Sequence, residues 1–143
     1  AGDLFLIEIA KRLSECVREN DILARLGGDE FVILLDSLQS QDDVEEVAAR
    51  IISAVEKPFD LDGHCLYSNA SIGIAQCSQH YQNANELLRD ADAAMYQAKS
   101  LGRGRYVFFD ESMRDQLIAS MTLEQELRAA IKQKQFELHY QPI

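Results

Sequence analysis

Two glycines followed by two carboxylates, Gly27-Gly28-Asp29-Glu30, sit between two apolar runs. Ile22, Ala24 and Leu26 alternate on the N-terminal side, and Phe31 to Leu35 are apolar on the C-terminal side. Strand-like segments around Gly-Gly predict a β-hairpin, because glycine reaches the positive φ values that tight turns demand. The tip then carries Asp29 and Glu30, held on a buried second strand. Paired carboxylates on a rigid element, beside backbone bare of side chains, suit Mg²⁺ bound together with a nucleoside triphosphate. The tetrapeptide alone also has the composition of an ordinary solvated turn. Successive strand residues point to opposite faces, so the two acids need not share one ion.

The elements that must position this tip follow from periodicity. Leu6, Ile9, Ala10, Leu13, Cys16 and Val17 recur at helical spacing, predicting an amphipathic helix over 3–18 with Asp3 as its N-cap. After the hairpin and the polar stretch 36–43, a second helix carries Val44, Val47, Ala48, Ile51, Ile52 and Val55 on one face and is stopped by Pro58. Residues 59–77 read as two strands, Phe59 to Leu61 and Leu66 to Cys77, joined by an Asp62-Gly63 turn. Gly73 within them marks a place where something approaches the backbone closely. A third helix over 84–101 has Leu87, Leu88, Ala91, Ala94, Met95 and Ala98 as its buried stripe and ends at Gly102. Tyr106 to Phe109 is a short strand. The order predicts an α+β fold, with helices packed on a mostly antiparallel sheet. Beyond residue 110, a linker helix is expected over 111–121. Thr122 with Gln125 then forms a capping box opening a new helix, and 136–143 alternate like a strand.

Composition narrows the function classes. At 143 residues the chain can bury one core. A formal net charge of −10 argues against coating a nucleic acid, though a single nucleotide site needs only local cations and a metal. Cys16, Cys65 and Cys77 show no CxxC spacing, which fits reduced thiols in the cytoplasm. No stretch has the length of a transmembrane helix; anchoring of a parent protein through other segments stays open.

Arg25-x-Gly27-Gly28-Asp29-Glu30-Phe31 resembles the defining motif of the GGDEF family, the diguanylate cyclases. Further matches are Ser71-Ile72-Gly73-Ile74-Ala75 and Ala91-Asp92-x-Ala94-Met95-Tyr96-x-Ala98-Lys99-x-x-Gly102-Arg103. The resemblance covers about residues 1–110. Residues 122–143 resemble the opening of an EAL domain, the cyclic di-GMP phosphodiesterase family, through Leu123-Glu124-x-x-Leu127 and His139-Tyr140-Gln141-Pro142. The parent thus looks like a tandem GGDEF–EAL signalling protein. The EAL motif itself would lie beyond Ile143, so that activity is not expected of these residues.

The resemblance implies a nucleotide-cyclase palm that joins two GTP molecules into cyclic di-GMP across a homodimer. It assigns Asp29 and Glu30 to catalysis and to Mg²⁺, and gives Gly27 and Gly28 the role of leaving room for the nucleotide. Lys99 and Arg103 would hold phosphate oxygens; four apart near a helix end, they are expected to share a face. Arg18-x-x-Asp21 matches the family's product-inhibition site for cyclic di-GMP, and Arg50 matches an arginine that often joins it. Gly104 stands where family members usually have Asn. Family members also carry a strand and helix before the Gly2-Asp3 position, which supply another metal-binding Asp and guanine contacts. The chain therefore reads as a fragment that alone makes no cyclic di-GMP. Alternatives to an enzyme are a GTP- or cyclic-di-GMP-binding module regulating the adjoining EAL domain, and a structural dimerisation domain.

Overall fold

A computed structural model of the chain describes residues 2–38, 40–61, 63–77, 81–137 and 139. The order is α1 (Gly2–Glu15), β1 (Ile22–Gly27), β2 (Glu30–Leu34), α2 (Gln41–Glu56), β3 (Phe59–Leu61), β4 (His64–Leu66), β5 (Ser71–Ile74), α3 (Ala84–Ser100), β6 (Arg105–Phe108) and α4 (Ser112–Lys132). β1–β2 and β3–β4 are antiparallel hairpins, and β5–α3–β6 is a parallel crossover unit. The fold is α+β with antiparallel pairing in the majority, as the sequence predicts, but among the described residues the strands form three two-stranded sheets rather than one continuous sheet.

The core lies where α1 and α2 cover one face of the β1–β2 hairpin. Leu13, Cys16, Val47, Ile51 and Val55 are buried together, with Ile9, Leu23, Phe31 and Ile33 packed against them. The expected apolar faces of both helices are therefore the ones used. Strand β2 is half-buried rather than buried, so the hairpin is a layer with one covered face.

Helix α2 starts with a capping box. Ser40 accepts from the Asp43 amide, and the Asp43 carboxylate accepts from the Ser40 amide. Its last turn has no basic residue of its own. Arg12 of α1 fills that role, donating to the carbonyls of Ala54 (2.9 Å), Lys57 (2.6 Å) and Pro58 (2.8 Å). The same guanidinium lies 3.7 Å over the fully buried ring of Phe59, which meets Phe5 edge-on. In return Arg50 of α2 donates twice, at 3.0 and 2.7 Å, to the carbonyl of Cys16 just past α1.

Several local expectations are corrected. Asp3 is in the first turn of α1, not at its cap, since the helix already includes Gly2. The stretch 66–77 is not one strand: the polar pair Ser68-Asn69 interrupts it, so β4 pairs with β3 while β5 pairs with β6. The Asp62 half of the Asp62-Gly63 turn lies outside the described residues; Gly63 has φ 81°. Gly73 does permit a close approach, by α3 itself: a Cβ there would lie 1.9 Å from the Ala91 carbonyl oxygen. No new helix opens at Thr122, because α4 runs unbroken from Ser112 to Lys132 and places Thr122 mid-helix. The expected strand over 136–143 falls largely outside the described residues.

Helix α4 is fastened at its start. Asp90 of α3 is completely enclosed, a carboxylate among the buried alanines 93, 94 and 98. Arg114 of α4 grips both of its oxygens, Arg89 lies 3.4 Å away and the Tyr81 hydroxyl hydrogen-bonds it. Arg114 also stacks 5.1 Å from the Phe109 ring centroid. Its hydrogen bonds hold the Asp90 carboxyl below the ordinary value of 3.8, against the opposing effect of burial. A depressed folded-state value means that the contribution to stability is complete above the unfolded carboxylate value. It fades as pH falls through the folded one. We expect Arg114→Met to leave Asp90 without its main partner, at a cost on the order of 3 kcal/mol in urea unfolding at pH 7. The difference from wild type should shrink below pH 4, as the unfolded carboxylate becomes protonated.

Candidate nucleotide and metal site

The register of the β1–β2 hairpin shapes its tip. Arg25 pairs with Phe31 and Gly27 with Glu30, so Leu26 is an extra residue that bulges β1. Gly28 takes φ 53°, a left-handed value that favours glycine. A Cβ added at Gly27 or Gly28 would meet nothing within 4 Å, so the chain leaves open space on this backbone. Asp29 lies in the turn and Glu30 opens β2; both are exposed. Among the described residues neither carboxylate takes part in a hydrogen bond or ion pair. The turn is instead braced by Arg25, whose Nε and one terminal nitrogen donate to the Gly28 carbonyl at 3.0 and 2.7 Å.

Two uncommitted carboxylates on consecutive residues are hard oxygen donors. Among the described residues no group of three or more His, Cys, Asp or Glu could form a closed metal cage. The pair fits a cation such as Mg²⁺, which keeps much of its shell as water and phosphate oxygen. Beside the hairpin, a cleft of about 410 Å³ opens between α1 and the strands, with Asp3, Leu6, Ile7, Leu23, Arg25 and Phe31 on its walls.

The other sequence-predicted residues are placed differently. Lys99 and Arg103 do not share a helical face, because α3 ends at Ser100. Gly102 (φ 108°) and Arg103 (φ 59°) are left-handed, and their amides return to the carbonyls of Lys99 and Ala98. This is a Schellman closure, which puts Arg103 on the loop beyond the helix. Among the described residues no hydrogen bond or ion pair joins either side chain to the hairpin tip. Arg18, Asp21 and Arg50 do gather around the end of α1, but two of them are occupied. Asp21 accepts from the Arg18 amide (2.8 Å) and the Asp36 amide (3.1 Å), tying the turn before β1 to the end of β2. Arg50 holds Cys16, as described. The Arg18 side chain is exposed.

The sequence reading assigned no role to Arg12, Arg25 or Asp90. A signal existed for two of them: Arg12 interrupts an apolar face beside Ile9 and Leu13, and Asp90 falls on the alanine stripe of α3.

Fold and tip together define a nucleotide-cyclase palm with a carboxylate-bearing glycine hairpin. A family model described as "Diguanylate cyclase, GGDEF domain" matches residues 1–105, and the chain belongs to the GGDEF family. It is 42% identical over 141 residues to the bifunctional diguanylate cyclase/cyclic di-GMP phosphodiesterase MucR of Pseudomonas aeruginosa, covering 99% of this chain and 20% of MucR. It is 34% identical over 143 residues to the cyclic di-GMP phosphodiesterase NbdA of the same organism, covering all of this chain and 18% of NbdA. Among solved structures, the isolated GGDEF domain of P. aeruginosa PA1120 (TpbB or YfiN) superimposes with a TM-score of 0.76 at 40% identity, covering 82% of this chain and 69% of that one. The chain spans about a fifth of the length of the curated relatives that it matches end to end.

The placement of Arg18, Asp21 and Arg50 separates their contributions to stability. Asp21→Ala and Arg50→Ala each remove bonds to backbone, and should cost about 1–2 kcal/mol in urea unfolding. Arg18→Ala should stay within about 0.5 kcal/mol of wild type.

Proposed function

We propose that this chain is the GGDEF part of a tandem GGDEF–EAL protein, and that the GGDEF part condenses two GTP molecules into cyclic di-GMP. The observation that carries this reading is the tip: Asp29 and Glu30 are intact, exposed and uncommitted, on a turn whose backbone is open and braced. In the proposed reaction the 3′-hydroxyl oxygen of one GTP bonds to the α-phosphorus of the other. The bond from that phosphorus to the β-phosphate oxygen breaks, and pyrophosphate leaves with the electron pair. A homodimer presenting one GTP from each subunit performs the step twice. Bound Mg²⁺ would supply charge neutralisation on the triphosphate. Asp29 and Glu30 would hold the metal, and Asp29 would help draw off the hydroxyl proton. Gly27 and Gly28 admit the nucleotide, while Lys99 and Arg103 contribute positive charge to phosphate oxygens.

The domain division goes with this reading: 1–110 as the GGDEF domain, 111–121 as a linker and 122–143 as the opening of the EAL domain in cis. Its support is that the family match ends at residue 105, while curated relatives match through the rest of the chain. Among the described residues no helix is long and apolar enough to cross a membrane. A second reading, a GTP-binding module that regulates the EAL domain without turnover, is favoured by one observation. NbdA and PdeR, both named as phosphodiesterases, match over the same span at 34% and 35% identity.

In the full protein, Asp29→Ala and Glu30→Gln should each abolish conversion of GTP to cyclic di-GMP while the thermal midpoint stays within a few degrees. Undiminished synthesis in both variants refutes the catalytic assignment. Binding of GTP without turnover by the wild type selects the regulatory reading.

We also propose that cyclic di-GMP inhibits the domain by binding at Arg18, Asp21 and Arg50. Arg18 has the free guanidinium of the three, so it supplies the phosphate contact. Arg18→Ala should weaken cyclic di-GMP binding by titration calorimetry about tenfold to a hundredfold, the value of one charge-assisted hydrogen bond. Equal affinities would return the cluster to a purely structural role.

A further inference from the structure

We propose, resting on the cyclase reading above, that Arg25 is the positioning residue that fixes the metal-binding turn. The tip is built from two glycines, the least restrained backbone a chain can offer. Among the described residues Asp29 and Glu30 make no side-chain bonds that would steady it. Among the described residues the only side chain that holds the turn is Arg25, through two donors to one carbonyl. The bulge at Leu26 alters the register between Arg25 and the turn. It leaves Arg25 across from Phe31, and Arg25, Leu23 and Phe31 all line the cleft. One side chain therefore borders the cleft and grips the turn that presents both carboxylates.

The chemistry of the grip is specific to arginine. Two N–H groups in a fixed fork meet one carbonyl oxygen and set both the distance and the plane of the Gly28 peptide, which the single point charge of lysine cannot do. With that carbonyl occupied, the turn offers a cation its carboxylates rather than its backbone oxygen. A turn held in one conformation before binding meets a metal–phosphate group without an ordering cost, which is where preorganisation contributes to rate.

The test uses the full protein with Arg25→Ala and Arg25→Lys. In Arg25→Ala, hydrogen exchange at the amides of Gly28, Asp29 and Glu30 should rise tenfold or more, with exchange in α1 and α2 unchanged. The dissociation constant for Mn²⁺, read by electron paramagnetic resonance, should rise at least threefold. In turnover, kcat should fall tenfold or more and the Mg²⁺ requirement should increase, while KM for GTP moves less than threefold. Millimolar guanidinium should restore part of the lost rate in Arg25→Ala, and Arg25→Lys should fall between the two. Wild-type exchange at the tip, or a uniform rise in exchange with a lowered thermal midpoint, overturns the proposal in favour of no role or a merely structural one. If the wild type makes no cyclic di-GMP, the cyclase reading fails by itself; tip exchange and Mn²⁺ affinity then still decide the role of Arg25.

Discussion

Two helix ends meet in the middle of this domain, and each is closed by an arginine from the other helix. The last carbonyls of a helix have no partners within it, and leaving them unpaired beside a core is costly. Arg12 supplies three donors to the end of α2, and Arg50 supplies two to the end of α1. The exchange fixes the two helices against each other along their length. With the pair locked, Ile9, Leu13, Val47 and Ile51 present one surface to the hairpin, and the hairpin tip is carried at a set place beyond it. Phe59 completes the clasp by offering its face to Arg12, which seats the start of β3 under the same joint.

Much of this was legible in the sequence because it rests on local repetition. The faces of α1, α2 and α3 follow from apolar spacing, and the hairpin follows from Gly27-Gly28 between two apolar runs. What escaped depends on partners far apart in the chain. Arg12 reaches residues more than 40 positions away, and Arg114 reaches Asp90 across a strand and two turns. Periodicity carries no information about such pairs. The errors at Thr122 and at Lys99 with Arg103 have another origin. The Thr-x-x-Gln pattern also occurs inside helices, where it does no capping. Two residues four apart share a face only while the helix continues, and Gly102 ends it between them. Asp29 and Glu30 were readable as types, but the support of their turn was not, since an arginine in a strand gives no hint of which carbonyl it will find.

The site also answers an electrostatic difficulty. The chain has a formal net charge of −10 and, on the proposed reading, takes triphosphates. The overall field opposes such a ligand, and only short-range cations can reverse that locally. Arg25 stands at the cleft wall with no carboxylate paired to it among the described residues. Lys99 and Arg103 likewise keep their charges exposed at the end of α3. Asp29 and Glu30 add negative charge at the tip, which on that reading a bound divalent cation would offset.

Helix α4 is fastened near its start by Arg114 on Asp90, while several apolar residues further along are exposed. From Arg114 to Lys132 it extends about 27 Å at the usual helical rise, with Leu123, Leu127 and Ile131 facing solvent. A rod held at its base is a lever. A rotation of about 10° at the Asp90 pivot carries the far end roughly 5 Å, on the same helical dimensions. On those dimensions, a small rotation around Tyr81 and Phe109 would correspond to a large displacement at the Lys132 end.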